Sequence, residues 1–371
     1  YMDSSPIVFI TCNVNEGLLG KDAFQEVDIT GITMPITKSN YMVRDVRKLA
    51  DIVREAFAIA RSGRPGPVLI DIVKNVTAEK AEFTPLNREE HSKQGRLGSL
   101  IKRASHDLKT PEPDLNDINI LTNMIREAKK PLLICGGGVV RSRADKEFLE
   151  FAERIDSPVA ITVMGGGGFK GRNPLTTGMI GMHGSQASNM ACDACDLLIA
   201  VGCRFSDRVA LDPKSFAKQA KIVQIDIDRS EINKNVHVDV ALEGDVKDVI
   251  CALLPKINNI CRDEWLTQIA EWKAEDYQPK DSDSVLKPHQ IIRKACELAG
   301  EDSIYVTDVG QHQMWAVQYC RHVKPRKFLT SGGLGTMGYG FGAAIGAKAA
   351  KPEAPVIHFT GDGSFHMNLN E

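Results

Sequence analysis

The sequence lacks a dominant charge and a long apolar run, and its first residues lack the pattern of a signal peptide. Its 46 Lys and Arg residues nearly balance 48 Asp and Glu residues, which gives a formal net charge of −2 at pH 7. A balanced charge offers no basic surface to nucleic acid or to an anionic membrane. No run approaches the ~18 apolar residues of a membrane-spanning helix, and the first residues do not follow the order of a signal peptide. We therefore predict neither a nucleic-acid nor a membrane partner.

The nine cysteines lack the spacing of a disulfide framework. Their number is odd and their spacing is irregular, which is typical of a reducing, cytoplasmic compartment. One pair, Cys192 and Cys195, has the spacing of a redox or zinc motif. No second such pair and no nearby His pair completes a set of four ligands. We interpret both cysteines as small buried side chains of a helix.

Apolar strand-like runs alternate with helical periodicity along the chain. Apolar residues have helical spacing over 46–60 and 288–299, and a helix of small residues follows the glycine-rich segment that begins at 332. The predicted strands are 5–11, 68–72, 131–135, 158–163, 197–201, 222–227, 303–307 and 355–360. Continuous apolar strands that alternate with helices are typical of parallel sheets flanked by helices. We predict an α/β protein.

Two polar, charged stretches divide the chain. Residues 81–115 and 258–287 are predicted linkers, and they separate a first part (1–80), a whole α/β domain (116–257) and a last part (288–371). The first predicted strand has no earlier strand to pair with, and the last part ends inside a binding motif. We expect incomplete first and last domains, and hence a piece of a longer protein.

The last predicted strand leads into Gly361-Asp362-Gly363-Ser364. An aspartate supplies a hard oxygen ligand, and glycines let backbone N–H groups approach phosphate oxygens. This pattern suits a phosphate that is bound through a divalent metal. The segment 331–340 is also dense in glycine, which is costly unless the backbone approaches something closely. Its alternative explanation is tight packing of two helices.

The polar segment 308–313 follows a predicted strand and contains Gln311 and His312. Both side chains could donate hydrogen bonds to a phosphate or substrate oxygen, although a polar loop without a binding role is the simpler alternative. The glycine-rich segment 331–340 and Gly361-Asp362-Gly363 lie near each other in the sequence, so these two segments support each other as an anion site.

The middle domain carries a second set of polar residues behind its strands. Its Gly136-Gly137-Gly138 lacks the spacing of the dinucleotide fingerprint. Glycine-flanked turns, arginines and aspartates at strand ends would together suit an anionic ligand that bears a ribose. For Asp226 and Asp228, capping of the following helical turn is the alternative.

Together these segments resemble the catalytic large subunits of the acetohydroxyacid synthase (acetolactate synthase) family of thiamine-diphosphate enzymes. The resemblance covers nearly the whole chain. It rests on the ordered segments 22–26, 36–38, 63–67, 181–184, 204–205, 226–228, 311–313, 333–340 and 361–368.

The resemblance implies a pyrimidine-binding domain, an FAD-binding domain and a diphosphate-binding domain in that order. It implies thiamine diphosphate, Mg²⁺ and a largely structural FAD as cofactors. The implied reaction decarboxylates pyruvate and transfers the two-carbon unit to pyruvate or 2-oxobutanoate, in branched-chain amino-acid biosynthesis. The implied assembly is a homodimer or homotetramer with active sites between subunits, with a regulatory small subunit as a further implied partner.

The resemblance also assigns residues. Phe24, Gln25 and Lys38 would belong to the catalytic centre shared with a partner subunit, and Asp362 would bind Mg²⁺. The residues assigned to thiamine diphosphate are Gln311, His312, Gly333, Met337, Gly361, Gly363, Ser364 and Met367. The residues assigned to FAD are Arg64, Gly136, Gly137, Met182, His183, Gly184, Arg204, Asp207, Arg208, Asp226, Asp228 and Asp245.

The resemblance places the catalytic glutamate before Tyr1 and a last metal ligand after Glu371, so we expect residues 1–371 alone to be inactive. The alternatives are a relative such as pyruvate oxidase, which passes electrons through FAD, a non-catalytic FAD-binding remnant, and a general nucleotide-binding module. Acetolactate formation without an electron acceptor separates the first alternative from the synthase.

Overall fold

The structure is a computed structural model that describes residues 1–83, 111–320 and 324–370. The chain divides into two compact units, residues 1–110 and 111–371. Most of the predicted linker 81–115 (residues 84–110) lies outside the described residues.

The first unit is a three-stranded parallel sheet with helices. Its elements are β1 (Val8–Asn13), α1 (Ile29–Thr33), β2 (Ser39–Val43), α2 (Val46–Arg61) and β3 (Val68–Val73). The strand order is β1-β3-β2. Asp45 caps α2 by accepting a hydrogen bond from the Arg47 N–H. The core forms where α2 covers the sheet, because the apolar stripe of α2 faces the continuous apolar residues of β3.

The second unit contains a six-stranded parallel sheet. Its elements are α3 (Leu115–Glu127), β4 (Pro131–Cys135), α4 (Gly137–Arg141), α5 (Asp145–Arg154), β5 (Val159–Ile161), β6 (Thr176–Met179), α6 (Gln186–Ala194), β7 (Leu197–Val201), β8 (Lys221–Asp226), β9 (Val240–Glu243), α7 (Val246–Leu253) and α8 (Asp263–Glu275). The strand order is β6-β5-β4-β7-β8-β9. In the order of the chain this is 3-2-1-4-5-6, which places a topological switch point between β4 and β7.

Apolar side chains cover both faces of this sheet. One core packs α3, α5 and α7 against it, and the other packs α6 and α8. Helix α8 lies within the predicted linker 258–287, and its Trp265 and Ile269 are buried in the second core. Cys192 and Cys195 are buried there as well, as small core side chains should be.

A three-stranded parallel sheet completes the second unit. Its elements are α9 (Pro288–Ala299), β10 (Ile304–Thr307), α10 (Gln311–Tyr319), β11 (Phe328–Leu329), α11 (Tyr339–Ala350), β12 (Val356–Phe359) and α12 (Asp362–Met367). The strand order is β11-β10-β12. The small core is formed around Tyr305 and Cys296. The prediction of an α/β fold with parallel sheets flanked by helices is confirmed. Among the described residues, no helix has the length and apolar character needed to cross a membrane.

Candidate functional site

Strands β10 and β12 end side by side, and a buried carboxylate lies beneath the loops that follow them. Asp308 is fully buried. Its Oδ1 accepts a hydrogen bond from the N–H of Gly340 (2.9 Å), which lies in the first turn of α11. Its Oδ2 lies 3.0 Å from His358 Nε2 and accepts a hydrogen bond from the Thr360 hydroxyl at 3.0 Å. The carboxylate therefore ties the glycine-rich segment to both strands.

His312 lies on the loop side of this network, one residue into α10. A Cβ atom built on Gly361 would lie 3.3 Å from its ring, so the imidazole packs on the Gly361 backbone. Nε2 of His312 is buried and has no hydrogen-bond partner among the described residues. Burial lowers the pKa of His312 below its ordinary value of 6.5, because the charged ring loses hydration. A buried, unpartnered donor or acceptor is the atom that a bound group would be expected to satisfy.

The glycine-rich segment packs against α12. Asn368 Nδ2 donates a hydrogen bond of 2.6 Å to the carbonyl of Gly338, a residue in the left-handed region (φ 84°). A Cβ on Gly363 would lie 3.7 Å from Met337 Cε, and the Met337 side chain is 45% exposed. Met337 therefore packs against the Gly-Asp-Gly turn, and nearly half of its surface is exposed to solvent.

The predicted metal ligand, Asp362, is exposed at the start of α12. Among the described residues, the only three metal-ligating side chains that converge are Asp156, Cys261 and Asp263, near the start of α8. A cation at Asp362 would take further oxygens from a bound phosphate. A carboxylate beside phosphate oxygens is a donor set that suits Mg²⁺.

The remaining predicted residues of this edge take different positions. Gln311 is exposed, and Met367 is 55% exposed. Ser364 is buried, with its Oγ 3.5 Å from the Val309 carbonyl. The Gly333 carbonyl accepts a hydrogen bond from Arg204 Nη2 (3.4 Å), which joins this edge to the central sheet.

At the central sheet, the loops after β4 and β7 touch backbone to backbone. A Cβ on Gly136 would lie 2.1 Å from the Gly202 carbonyl oxygen, and one on Gly202 would lie 2.4 Å from Gly138 Cα. Gly202 is also left-handed (φ 59°). Gly137 begins α4, where a Cβ would lie 2.7 Å from an Arg141 nitrogen. Only glycine fits at this switch point, the usual place for a ligand crevice in such sheets.

The turn Met182-His183-Gly184 lies after β6. The Met182 N–H donates to the Arg208 carbonyl (2.9 Å), and Arg208 Nη1 lies 3.7 Å from the Met182 sulfur. The carbonyl of His183 accepts from Gln318 Nε2 at 2.8 Å. Arg208 also lies 3.8 Å from Asp207, in an exposed ion pair.

The aspartates of the central domain also stabilise turns. Asp226 Oδ1 accepts from the Asp228 N–H (2.9 Å), and Asp228 caps the turn Arg229–Glu231 by accepting from the Ser230 N–H (3.0 Å). Asp245 caps α7, and burial raises the pKa of its carboxyl. The capping explanation is therefore satisfied for Asp228.

In the first unit, the loop before α1 exposes the predicted catalytic residues. Phe24 is 88% exposed, and Gln25 is left-handed (φ 65°) and exposed. The adjacent Glu26 carboxylate accepts backbone N–H groups of the same loop, with Ala23 at 2.9 Å. These hydrogen bonds lower the pKa of Glu26. The loop is held from below while the Phe24 side chain projects into solvent.

Lys38 has a role that the sequence did not indicate. Its Nζ donates to the carbonyls of Ile59 (2.7 Å) and Ser62 (2.6 Å), at the end of α2. A cation there satisfies the last carbonyls and complements the helix dipole. Arg64, in the same unit, donates to the Ser4 hydroxyl (3.0 Å) and lies over the Tyr1 ring.

The structure thus brings His312, Gly361, Gly363 and Met337 together at one edge, and Gly136 and Arg204 near the switch point. Sequence reasoning missed Asp308 and Asn368, which hold the glycine-rich segment. Two features of the sequence could have indicated them: Asp308 directly follows an apolar strand, and Asn368 lies four residues after Ser364.

The chain matches two profiles of one family. Residues 118–253 match the central domain of thiamine pyrophosphate enzymes, and residues 308–371 match their C-terminal thiamine-pyrophosphate-binding domain. Together the two matches cover more than half of the chain.

Relatives match the whole chain. It is 43% identical over 381 residues to a probable acetolactate synthase large subunit of Methanocaldococcus jannaschii, and 44% identical over 381 residues to the acetolactate synthase large subunit of Cyanidium caldarium. Each match covers 100% of this chain and 63% of the relative. The acetolactate synthase of Mycobacterium leprae is 43% identical, with 58% of its length covered. The chain thus spans about three fifths of the length of these relatives, and it belongs to the thiamine pyrophosphate enzyme family as a homologue of acetolactate synthase large subunits.

Proposed function

We propose that the protein is an acetolactate synthase large subunit. In this proposal it decarboxylates pyruvate with thiamine diphosphate and Mg²⁺, and it transfers the two-carbon unit to pyruvate or 2-oxobutanoate. The observation that carries the proposal is the buried Nε2 of His312, which lies against the Gly361 backbone beside the Gly-Asp-Gly turn and has no hydrogen-bond partner in the described part of the chain. The names of the relatives support the same reaction.

The residues at this edge fit the cofactor. Asp362 would bind Mg²⁺, and His312 and Ser364, with Gln311 and the Gly333 backbone, would contact the diphosphate. Met337 would support the cofactor from the Gly363 side. When bound, thiamine diphosphate supplies the electron sink that the protein's own side chains lack. The protein's part is to position the substrate and to exclude water.

We also propose that residues 116–257 bind FAD in a structural role. The strand order and the close contact of the loops at Gly136 and Gly202 support a dinucleotide at the switch point. Residues 288–371 form the diphosphate-binding part in this proposal, and residues 1–80 form part of the pyrimidine-binding domain. Phe24, Gln25 and Lys38 would act at an active centre shared between subunits of a cytoplasmic homo-oligomer, with a small subunit as regulator.

Calorimetric titration of the whole protein that contains this chain with thiamine diphosphate and Mg²⁺ tests the cofactor site. We expect saturable binding that requires Mg²⁺, and Asp362→Asn should weaken it by at least about tenfold. The matched control is Asp302→Asn, an exposed carboxylate paired with Lys324 at 2.8 Å, which should bind normally. Equal affinities in the two variants would reject Asp362 as the metal ligand.

The reaction is tested on the whole protein that contains this chain. Purified protein supplied with pyruvate, both cofactors and Mg²⁺ should form acetolactate without an electron acceptor. Turnover only when an acceptor is added would instead identify a pyruvate oxidase.

A further inference from the structure

Two buried cysteines meet at the ends of neighbouring helices. Cys296 lies in the last turn of α9, and Cys320 directly follows α10. Their sulfur atoms are 2.8 Å apart, and the residues are 2% and 7% exposed. A disulfide bond is about 2.05 Å long, so a shift of less than an ångström would bring the sulfurs to bonding distance.

The surroundings of this pair make the Cys296 thiol more acidic. The hydrogen bond between the two thiols, and then the hydrogen bond with the Tyr305 hydroxyl, lower the pKa of Cys296 despite its burial. The same contact raises the pKa of Cys320. By contrast, burial raises the pKa of Cys192 to about 12 and that of Cys203 to about 11. Because the thiolate is the reactive form of cysteine, Cys296 differs from these buried thiols.

Tyr305 also fixes the place where the pair meets. Its hydroxyl donates to the Gly300 carbonyl (3.1 Å) and lies 3.4 Å from the Cys296 carbonyl. The tyrosine is fully buried at the centre of β10. The last turn of α9 is therefore held against β10, which keeps the Cys296 sulfur close to the Cys320 sulfur.

We propose that Cys296 and Cys320 are a redox-modification site, which a small peroxide oxidises to a disulfide and a thiol reduces again. The Cys296 thiolate attacks one peroxide oxygen, the O–O bond breaks, and a sulfenic acid and hydroxide form; hydroxide takes up a proton as water. The Cys320 sulfur then attacks the Cys296 sulfur, the S–O bond breaks and a second water leaves. In sum, two thiols lose two electrons and two protons, and one hydrogen peroxide becomes two waters.

The link would join α9 to the far end of α10. Helix α10 begins at Gln311 and His312, so oxidation would restrict the element that carries these residues. The proposal itself does not depend on thiamine diphosphate, because it concerns the state of the two sulfurs.

The test is peptide mass spectrometry of the full chain after hydrogen peroxide, with free thiols blocked before digestion. We expect one cross-linked peptide pair, joined at Cys296 and Cys320 and lighter by two hydrogen atoms. Dithiothreitol should restore both thiols. The internal control is Cys192 and Cys195, which are also buried but have the Cys195 thiol directed at the Cys192 carbonyl (3.2 Å). This pair should remain reduced.

Thermal unfolding gives a second readout. Peroxide should raise the unfolding midpoint of the unsubstituted chain but not that of Cys320→Ser, in which no link can form. The proposal is overturned if Cys296 and Cys320 stay reduced while the exposed Cys12, Cys251 and Cys261 are oxidised. It is equally overturned if Cys296 is linked to other cysteines as readily as to Cys320. Both outcomes are read on the unsubstituted chain, so they do not depend on the folding of a variant.

Discussion

His358 Nε2 lies 3.0 Å from the Asp308 carboxylate, and this contact joins the ends of two neighbouring strands, β12 and β10. The Asp308 carboxylate also holds the Gly340 amide. The position of the glycine-rich segment is therefore set from beneath the sheet edge, by a side chain that a ligand above the edge need not touch.

Replacement of this carboxylate should loosen the start of α11. Asp308→Ala removes the acceptor of the Gly340 N–H and the partner of His358 Nε2, at a cost of about 1–3 kcal/mol for each buried group left unpaired, whereas the Thr360 hydroxyl keeps the Gly361 carbonyl at 3.1 Å. Amide hydrogen exchange of the peptide that contains Gly340 should accelerate. Asp302→Ala removes an exposed carboxylate (83% exposed side chain) and should change exchange little. Equal acceleration in the two variants would contradict a role for Asp308 as the anchor.

His312 should make stability depend on pH in one direction. Burial lowers its folded-state pKa below 6.5, so below pH 6.5 the unfolded chain takes up a proton that the folded chain refuses. Stability should therefore be lost as the pH falls through 6.5, and the His312 contribution should be constant above it. Unfolding midpoints measured between pH 5 and 8, in buffer steps of about half a unit, test this sign. His312→Gln should flatten the curve, and an unchanged curve would disprove the assignment.

The contact of the switch-point loops should not tolerate a methyl group. Gly202→Ala introduces a Cβ 2.4 Å from Gly138 Cα, at a left-handed residue, and should destabilise the second unit by about 2–4 kcal/mol. The same change at Gly346, within α11, brings the new Cβ within 4 Å of no described atom outside the backbone of that helix and should stabilise by about 0.5–1 kcal/mol. Differential scanning calorimetry of both variants compares their unfolding midpoints. A loss of stability in both would indicate a general effect of alanine and would contradict the steric explanation.

Arg262 should be indispensable to the central domain. Its guanidinium, at a 7% exposed residue, donates to the carbonyls of Ile125 (2.6 Å), Ala128 and Ile155, at the ends of α3 and α5. Arg262→Ala should cost about 2–4 kcal/mol in unfolding free energy by leaving these carbonyls unpaired. Arg262→Lys should recover only part of this loss, because the lysine ammonium keeps the charge but lacks the planar fork of donors that reaches several carbonyls. Arg229→Ala, at an exposed ion pair with Glu243, is the control for urea denaturation.

Local sequence predicted the apolar strands well, because β4 and β7 are continuous runs buried on both faces. It missed β2, whose residues Ser39–Val43 begin with Ser and Asn and pair in parallel with β3. It interpreted the charged residues around α8 as a linker, whereas Trp265 and Ile269, four residues apart, bury one face of a helix. The chemistry at residues 361–364 was visible in the sequence. The partners of Asp308 were not, because they lie 32 to 52 residues away along the chain.

The contacts of Lys38 set a condition on any ligand that would use its charge. The ammonium group already serves as the end cap of α2 through the Ile59 and Ser62 carbonyls. An anion could recruit it only by uncapping the helix, so the measured affinity would be the difference between the new contact and the lost cap. Binding at Lys38 would then appear as faster amide exchange in the last turn of α2, a signal in a helix that the ligand itself does not contact.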